Sequence, residues 1–473
     1  MTTRLSQDQR VVILGCGPTG LGAAYRLKEL GHDNYQVYDS AAQVGGLATS
    51  YKDDQGFTWD IGGHVQFSHY AYFDKLMDDA VNPPAGPGWL DHERESWVWI
   101  EGRYVPYPFQ NNIRYLTEQS RWKCLQGLIQ LYKQPFQGRP RNFREWIDAT
   151  FGEGLGEVFM IPYNFKVWAY PGEEMDYNWI GERVAVTDLE KVLYNVLHEK
   201  DDISWGPNNT FRFPMHGGTG AIWENVANLV GRDKITLNAR AVGVDPASKT
   251  VHFSDGSQTA YDVLISTLPI DKLIDMADLT ALKEHAAKLR YSSSHIIGVG
   301  LSGKPPQTLK KKCWMYFPEK NCPFYRVTVF SNYSPNNVPD IEKHWSLMAE
   351  ISESHHKPVD EAKVVEDTIE GMFATKLIQK HHDVVSTWNY RAHYGYPTPA
   401  LGRDAALNSI HRGLEPLGIY SRGRFGGWKY EVSNQDHSLM QGVELVNHLS
   451  LGVPEVTYWF PNTANNMTYA KRT

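Results

Sequence analysis

The chain has 473 residues, more than one hydrophobic core accommodates, so two or three folding units are expected. Its 41% hydrophobic and 21% charged residues mark an ordinary globular protein, and the formal net charge of −7 excludes a general nucleic-acid binder, which needs clustered Lys and Arg. Cys16, Cys124, Cys313 and Cys322 show neither metal-ligand nor redox-pair spacing and no His-Glu-x-x-His motif occurs, so free thiols and no metal are expected. Met1–Arg10 is polar and the apolar runs are too short for a bilayer, which predicts a cytoplasmic protein without membrane insertion.

In chain order, Val11–Leu14 is a short apolar run that stops at glycine, the pattern of a buried parallel strand. Leu21–Leu30 follows as a helix, with Leu21, Ala24, Leu27 and Leu30 on one face and Gly31 closing it. Tyr35–Asp39 reads as the second strand. Between strand and helix, Gly15-Cys16-Gly17-Pro18-Thr19-Gly20 fits G-x-G-x-x-G. There the glycines let backbone approach a pyrophosphate, and the helix N-terminus offers N–H groups and partial positive charge. Asp39, followed by Ser40, ends the second strand where an acid accepts hydrogen bonds from an adenosine ribose. Further glycine pairs, in Val44-Gly45-Gly46-Leu47 and Asp60-Ile61-Gly62-Gly63-His64, suit a long dinucleotide and favour FAD over NAD.

Trp97–Pro108 predicts strands, and residues 112 to 200 a mostly helical stretch containing Trp122–Lys133, Phe143–Thr150 and Leu189–Glu199. Ile235–Leu237, Ala241–Val244, Thr250–Phe253 and Val263–Ser266 read as strands of the returning cofactor unit, with Asp255-Gly256 as a hairpin turn. Ile296–Leu301, Cys313–Phe317, Tyr325–Phe330 and Trp345–Ile351 predict a second sheet, and Ser438–Leu449 a final helix.

Gly45-Gly46-Leu47 behind such a unit resembles the FAD-dependent amine-oxidase superfamily. More specific are Asp60–Val65, Pro106–Asn112, Pro162–Trp168, Phe211–Pro214, Phe324–Arg326, Ser331–Ser334, Gly395–Pro399, Gly423–Gly426, Tyr430–Val432 and Asn434–Ser438. With these the chain resembles the eukaryotic-type UDP-galactopyranose mutase family over nearly its whole length. That resemblance implies an α/β fold. A Rossmann-like FAD-binding domain (1–104, 205–275 and 401–473) would carry a mainly helical insertion (105–204) and a second, mostly antiparallel sheet domain (276–400). It implies isomerisation of a UDP-hexose between pyranose and furanose, reduced flavin N5 acting as nucleophile on the anomeric carbon and UDP leaving.

The same resemblance distributes the site. Arg183 and Arg326 would hold the diphosphate, because a guanidinium fork matches phosphate oxygens and stays charged. Tyr316, Tyr333, Tyr396 and Tyr430 would add hydroxyl donors. Uracil would stack between Tyr107 and Phe159, with Gln110 and Asn164 reading its edge. Phe109, Trp168, Asn208, Trp314 and Asn434 would also line the substrate. His64 would lie over the flavin near N5, and Val242, Gln435 and Ser438 would contact the cofactor. Arg94, Ser96 and Arg424 would receive NADPH as reductant, and Arg424 would also touch the flavin. An oxidase or desaturase of the same superfamily, a mutase for another nucleotide sugar, and a non-catalytic flavin-binding sensor are the competing readings; oligomeric state is open.

Overall fold

Five parallel strands make the first sheet, in the spatial order Ile419–Ser421, Val263–Ser266, Val11–Leu14, Tyr35–Tyr38, Ile235–Thr236. The structure is a computed structural model that describes residues 4–83, 86–181, 184–203, 209–379 and 383–466. Val11 to Leu14 are buried on both faces, pairing with Val263–Ser266 on one side and Tyr35–Tyr38 on the other, as their unbroken apolar run requires.

The helix after the glycine turn begins at Pro18 and runs to Glu29, a turn earlier than its apolar face predicts, because proline at the first helical position pre-sets φ. It packs on the last long helix, Gln435–Leu451, at very short range. A Cβ on Gly442 would lie 2.1 Å from the Thr19 carbonyl oxygen, and one on Gly22 would lie 2.5 Å from that of Leu439. Glycine at both points is therefore a packing requirement, and Leu21, Ala24, Leu27, Val443 and Val446 fill the seam.

Ala241–Asp245, Thr250–Phe253 and Gln258–Ala260 form a small antiparallel sheet beside the parallel one, with Gly256 at φ +85° in the expected hairpin turn. The third large element is a seven-stranded sheet. Its order is Val384–Thr398, Arg290–Ser302, His344–Glu353, Arg326–Val329, Trp314–Tyr316, Ser96–Ile100 and Arg103–Pro106. All its pairs are antiparallel except Trp314–Tyr316 with Ser96–Ile100. The strands flanking residue 104, grouped by sequence with the nucleotide-binding unit, thus hydrogen-bond into the second sheet. Val384–Thr398 is an edge strand with a polar face, a pattern without the apolar signal of the strands beside it.

The helical insertion contains Glu118–Lys133, Phe143–Leu155, Ile161–Trp168 and Leu189–Leu197, closed around Phe109, Phe143, Phe151, Phe159 and Trp168. Helices Ala71–Val81, Gly218–Val230, Ile270–Met276 and Arg403–Leu414 complete the layers around the parallel sheet. Among the described residues no helix is long and apolar enough to cross a membrane.

Candidate active site

The glycine turn leads straight to the N-terminus of helix Pro18–Glu29, where Gly17 is the cap and no side chain covers the leading N–H groups. Gly15 holds φ +103°, and a Cβ there would lie 2.0 Å from Thr267 Oγ1. A Cβ on Gly20 would stand 1.9 Å from the Gly15 carbonyl oxygen. Gly45 and Gly46, also at positive φ, approach Gly17, so a second backbone segment bare of side chains meets the turn. Leu47 is half-buried between two apolar clusters beneath them. Thr19 is buried beside Gly423.

Asp39 follows its strand and accepts the N–H of Cys16 at 2.6 Å and of Ala41 at 2.8 Å, with Ser40 exposed next to it. The Asp39 carbonyl accepts the N–H of Ala239. This brings the strand of Val242 alongside, where the register shifts between Ala241 and Gly243 and leaves the exposed Val242 out of the ladder. An acid and an unpaired backbone segment at one sheet end, plus an uncapped helix, fit the ADP half of a dinucleotide. A second uncovered helix N-terminus lies at Asn434, which heads Gln435–Leu451 without a side-chain cap. Gln435 Oε1 is held by the indole N–H of Trp223 and the amide of Gln66, and the Ser438 hydroxyl donates to the Ser433 carbonyl. This terminus favours an electron-rich ring end.

The Gly62-Gly63-His64 turn lies against the second sheet. Glu350 projects from strand His344–Glu353 and is 2% exposed. It accepts the Gly63 N–H at 3.1 Å, the Tyr325 hydroxyl at 2.8 Å, and both Nε and Nη2 of Arg326 at 2.7 Å. Burial pushes the Glu350 carboxyl up, but the Arg326 charge and these donors outweigh it and leave it below the ordinary carboxylate range. The partner effect is reciprocal: burial lowers Arg326, Glu350 raises it further, and the guanidinium is fixed in charge and direction. One carboxylate therefore ties the Gly62-Gly63-His64 turn to Arg326, the arginine expected at the diphosphate.

His64 stands within electrostatic reach of Glu350, Arg326 and Arg424. Burial, with Arg424 and Arg326 adding to it against Glu350, lowers its imidazole to about 4, and Nδ1 has no hydrogen-bond partner among the described residues. His64 is thus neutral at working pH. The unfolded chain binds a proton between about pH 6.5 and 4 that the folded protein refuses, so this group removes stability as pH falls through that window. Its slope is at most about 1.4 kcal/mol per pH unit. A His64→Ala variant flattens that part of the unfolding profile, and an NMR titration of His64 showing protonation near pH 6.5 contradicts the assignment.

Aromatic residues cluster around Tyr316 and Trp168. Tyr316 meets Tyr107 at 6.0 Å and Tyr163 at 5.4 Å, and the Trp314 indole N–H donates to the Tyr316 hydroxyl at 2.6 Å. Trp168 packs edge-on against Tyr430 (4.7 Å) and Tyr396 (6.0 Å). Arg94 donates to Ser96 Oγ at 2.9 Å and lies over the rings of Tyr107 and Trp314. Arg424 lies over Tyr396, with its donors on the Gly395 carbonyl and on Ser433. That engagement ties the sheet edge to the turn before Asn434.

Some expected contacts are differently engaged. The Gln110 and Asn164 amides donate to the carbonyls of Ala185 and Met160. Phe159 already stacks on Phe109 at 4.4 Å and on Tyr163 at 5.2 Å, so a base entering beside it displaces one of these rings. Tyr333 is fully buried among Phe211, Phe213 and Phe330. Arg183 and Asn208 lie outside the described residues. Glu350, Tyr325 and Tyr163 join the site without having been singled out. The available signal for Glu350 was one acid inside the apolar run Trp345–Ile351. Among the described residues His69, Asp436 and His437 are the grouping with ligand-type spacing; Asp436 bonds His69 at 2.8 Å and stands 3.2 Å from His437.

Comparison with known proteins agrees with this geometry. Residues 18–418 match the family described as flavin containing amine oxidoreductase. A crystal structure of reduced UDP-galactopyranose mutase superposes with a TM-score of 0.93 at 49% identity, covering 98% of each chain. A putative protoporphyrinogen oxidase from Exiguobacterium superposes at 0.69 with 16% identity, covering 94% of this chain and 99% of that one, and shares the fold alone. Among curated sequences, protoporphyrinogen oxidase 2 of Arabidopsis thaliana is 26% identical over 34% of this chain and 30% of its own. A probable zeta-carotene desaturase of Synechococcus elongatus is 43% identical over 14% of each, so the chain spans less than a third of either relative. From the glycine turn to the last helix, the chain belongs to the flavin-containing amine oxidoreductase family, in its UDP-galactopyranose mutase branch.

Proposed function

We propose that this chain interconverts UDP-galactopyranose and UDP-galactofuranose with FAD held in its reduced form. The observation that carries the reading is the Arg326–Glu350 fork, a fixed cation placed beside the Gly62-Gly63-His64 turn. When bound and reduced, the flavin supplies a nucleophilic nitrogen at the anomeric carbon, from which UDP leaves.

The chain's own residues do the rest. Arg326, with Arg183, holds the diphosphate before and after departure, so that the leaving group stays near for the return step. Tyr316, Tyr396 and Tyr430 present hydroxyls to the developing charge. Tyr107, Phe109, Phe159, Gln110 and Asn164 form the uracil end after a rearrangement of the Phe159 stack. His64, neutral at working pH, is suited to tune the flavin as an uncharged hydrogen-bonding group beside it. Arg94, Ser96 and Arg424 receive NADPH, the proposed reductant, and the proposed location is the cytoplasm.

Titration of the dithionite-reduced holoenzyme with UDP and with uridine, followed by tryptophan fluorescence, tests the diphosphate assignment. UDP is expected to bind at least about 10-fold more tightly, as one or two charge-assisted hydrogen bonds require. Equal affinity for the two ligands overturns the role given to Arg326.

A further inference from the structure

Lys166 belongs to the helix Ile161–Trp168, whose Tyr163 and Trp168 meet the site aromatics Tyr316 and Tyr430, but its own side chain runs into the protein on another side and is 7% exposed. Its Nζ donates to the carbonyls of Glu319 (2.8 Å) and Cys322 (2.9 Å) and stands 3.4 Å from Cys322 Sγ. Among the described residues this is the one lysine nitrogen in hydrogen-bond contact with a sulfur. Cys322 is 5% exposed, and its thiol has only carbonyl oxygens, of Glu319 and Phe324, as other partners. Its loop leads directly into Tyr325 and Arg326, so the pair joins the substrate-side helix to the segment carrying the diphosphate arginine.

An amine and a thiol held at this distance, with no disulfide partner in contact, are arranged for joint oxidation. We propose that Lys166 and Cys322 form a covalent nitrogen–oxygen–sulfur bridge, with dioxygen as the oxidant. In the balanced step the thiol S–H, one of the two N–H bonds of the neutral amine and the O–O bond break, and one N–O bond, one O–S bond and the two O–H bonds of water form. Nitrogen and sulfur together lose four electrons to dioxygen. One oxygen atom becomes the bridge, the other leaves as water with two of the three hydrogens, and the third stays on nitrogen. Burial lowers the Lys166 pKa, against the opposing effect of Cys322, which favours the neutral amine. Two equivalents of a dithiol supply the four electrons and four protons that restore amine and thiol and release the bridging oxygen as water, so the bridge is a reversible tie between helix and loop.

The test uses the full-length holoenzyme held either in air or anaerobically with dithiothreitol. The aerobic sample is expected to gain about 14 Da, one oxygen less two hydrogens, and proteolysis should yield the Lys166 peptide joined to the Cys322 peptide. Dithiothreitol should remove both signals. Cys322→Ser and Lys166→Arg should each abolish them, and where a variant fails to fold the linked peptide from the native protein decides alone. A gain of about 16 Da confined to Cys322, or complete alkylation of Cys322 after denaturing a long-aerated sample, overturns the proposal. The mass readout is independent of the mutase reading.

Discussion

Arg326→Ala is expected to lower turnover about 10²- to 10³-fold while the purified protein keeps its flavin absorbance. The guanidinium lies beside His64 and Gly63, not on the Gly15–Gly20 turn proposed for the ADP half, so the loss is expected to fall on leaving-group stabilisation and not on cofactor retention. The same substitution strands Glu350, a buried carboxylate that would keep only Tyr325 and Gly63 as donors, and breaking such a pair costs about 3–5 kcal/mol. Turnover and thermal stability should therefore fall together. The double variant Arg326→Ala with Glu350→Gln separates the two effects. Removing the stranded charge restores most of the stability and none of the turnover, as rate measurements and thermal denaturation of the four-member cycle will show. Glu350→Gln alone leaves Arg326 charged but less firmly aimed, and about a 10-fold loss in kcat/KM is expected. Full activity of Arg326→Ala removes the diphosphate role.

Gly20→Ala is expected to yield protein without bound flavin. The new Cβ would stand 1.9 Å from the Gly15 carbonyl oxygen, and both ends of that clash are backbone. Relief requires the helix start and the turn to separate, which opens the backbone approach on which pyrophosphate binding depends. The cost should exceed the 1–3 kcal/mol typical of overpacking by about one methyl group, since no flexible side chain can give way. Gly31→Ala is the control. It has a positive φ of +71° but nothing within 4 Å of the added carbon, so it keeps the flavin at a cost of about 1 kcal/mol. Flavin absorbance per protein and thermal denaturation distinguish the two variants.

The nucleotide-binding half was legible because its signals are local. An unbroken apolar strand, a glycine turn, a proline at the helix start and an acid at the next strand end all lie within residues 11–39. The second sheet was legible where its strands are apolar, as at Ile296–Leu301 and Trp345–Ile351. It was missed at Val384–Thr398, where no unbroken apolar run marks the strand and its alternating pattern carries many polar residues. The pairing of Ser96–Ile100 with Trp314–Tyr316 could not be read from either segment, since a contact across more than 200 residues leaves no local pattern. The site divides the same way. Motifs singled out Arg326, His64 and the tyrosines as candidates, while Glu350, which bonds Gly63, Tyr325 and Arg326, belongs to none of those motifs. The engagement of Gln110 and Asn164 by backbone carbonyls, and the stacking of Phe159 between Phe109 and Tyr163, are tertiary results of the same kind.

The most direct test of the account is a redox-controlled assay. The purified flavoprotein is supplied with UDP-galactofuranose anaerobically, with and without dithionite, and the nucleotide sugars are separated by HPLC. Conversion to UDP-galactopyranose in the reduced sample alone is the predicted result. Bound flavin with no conversion in either redox state contradicts the proposed activity.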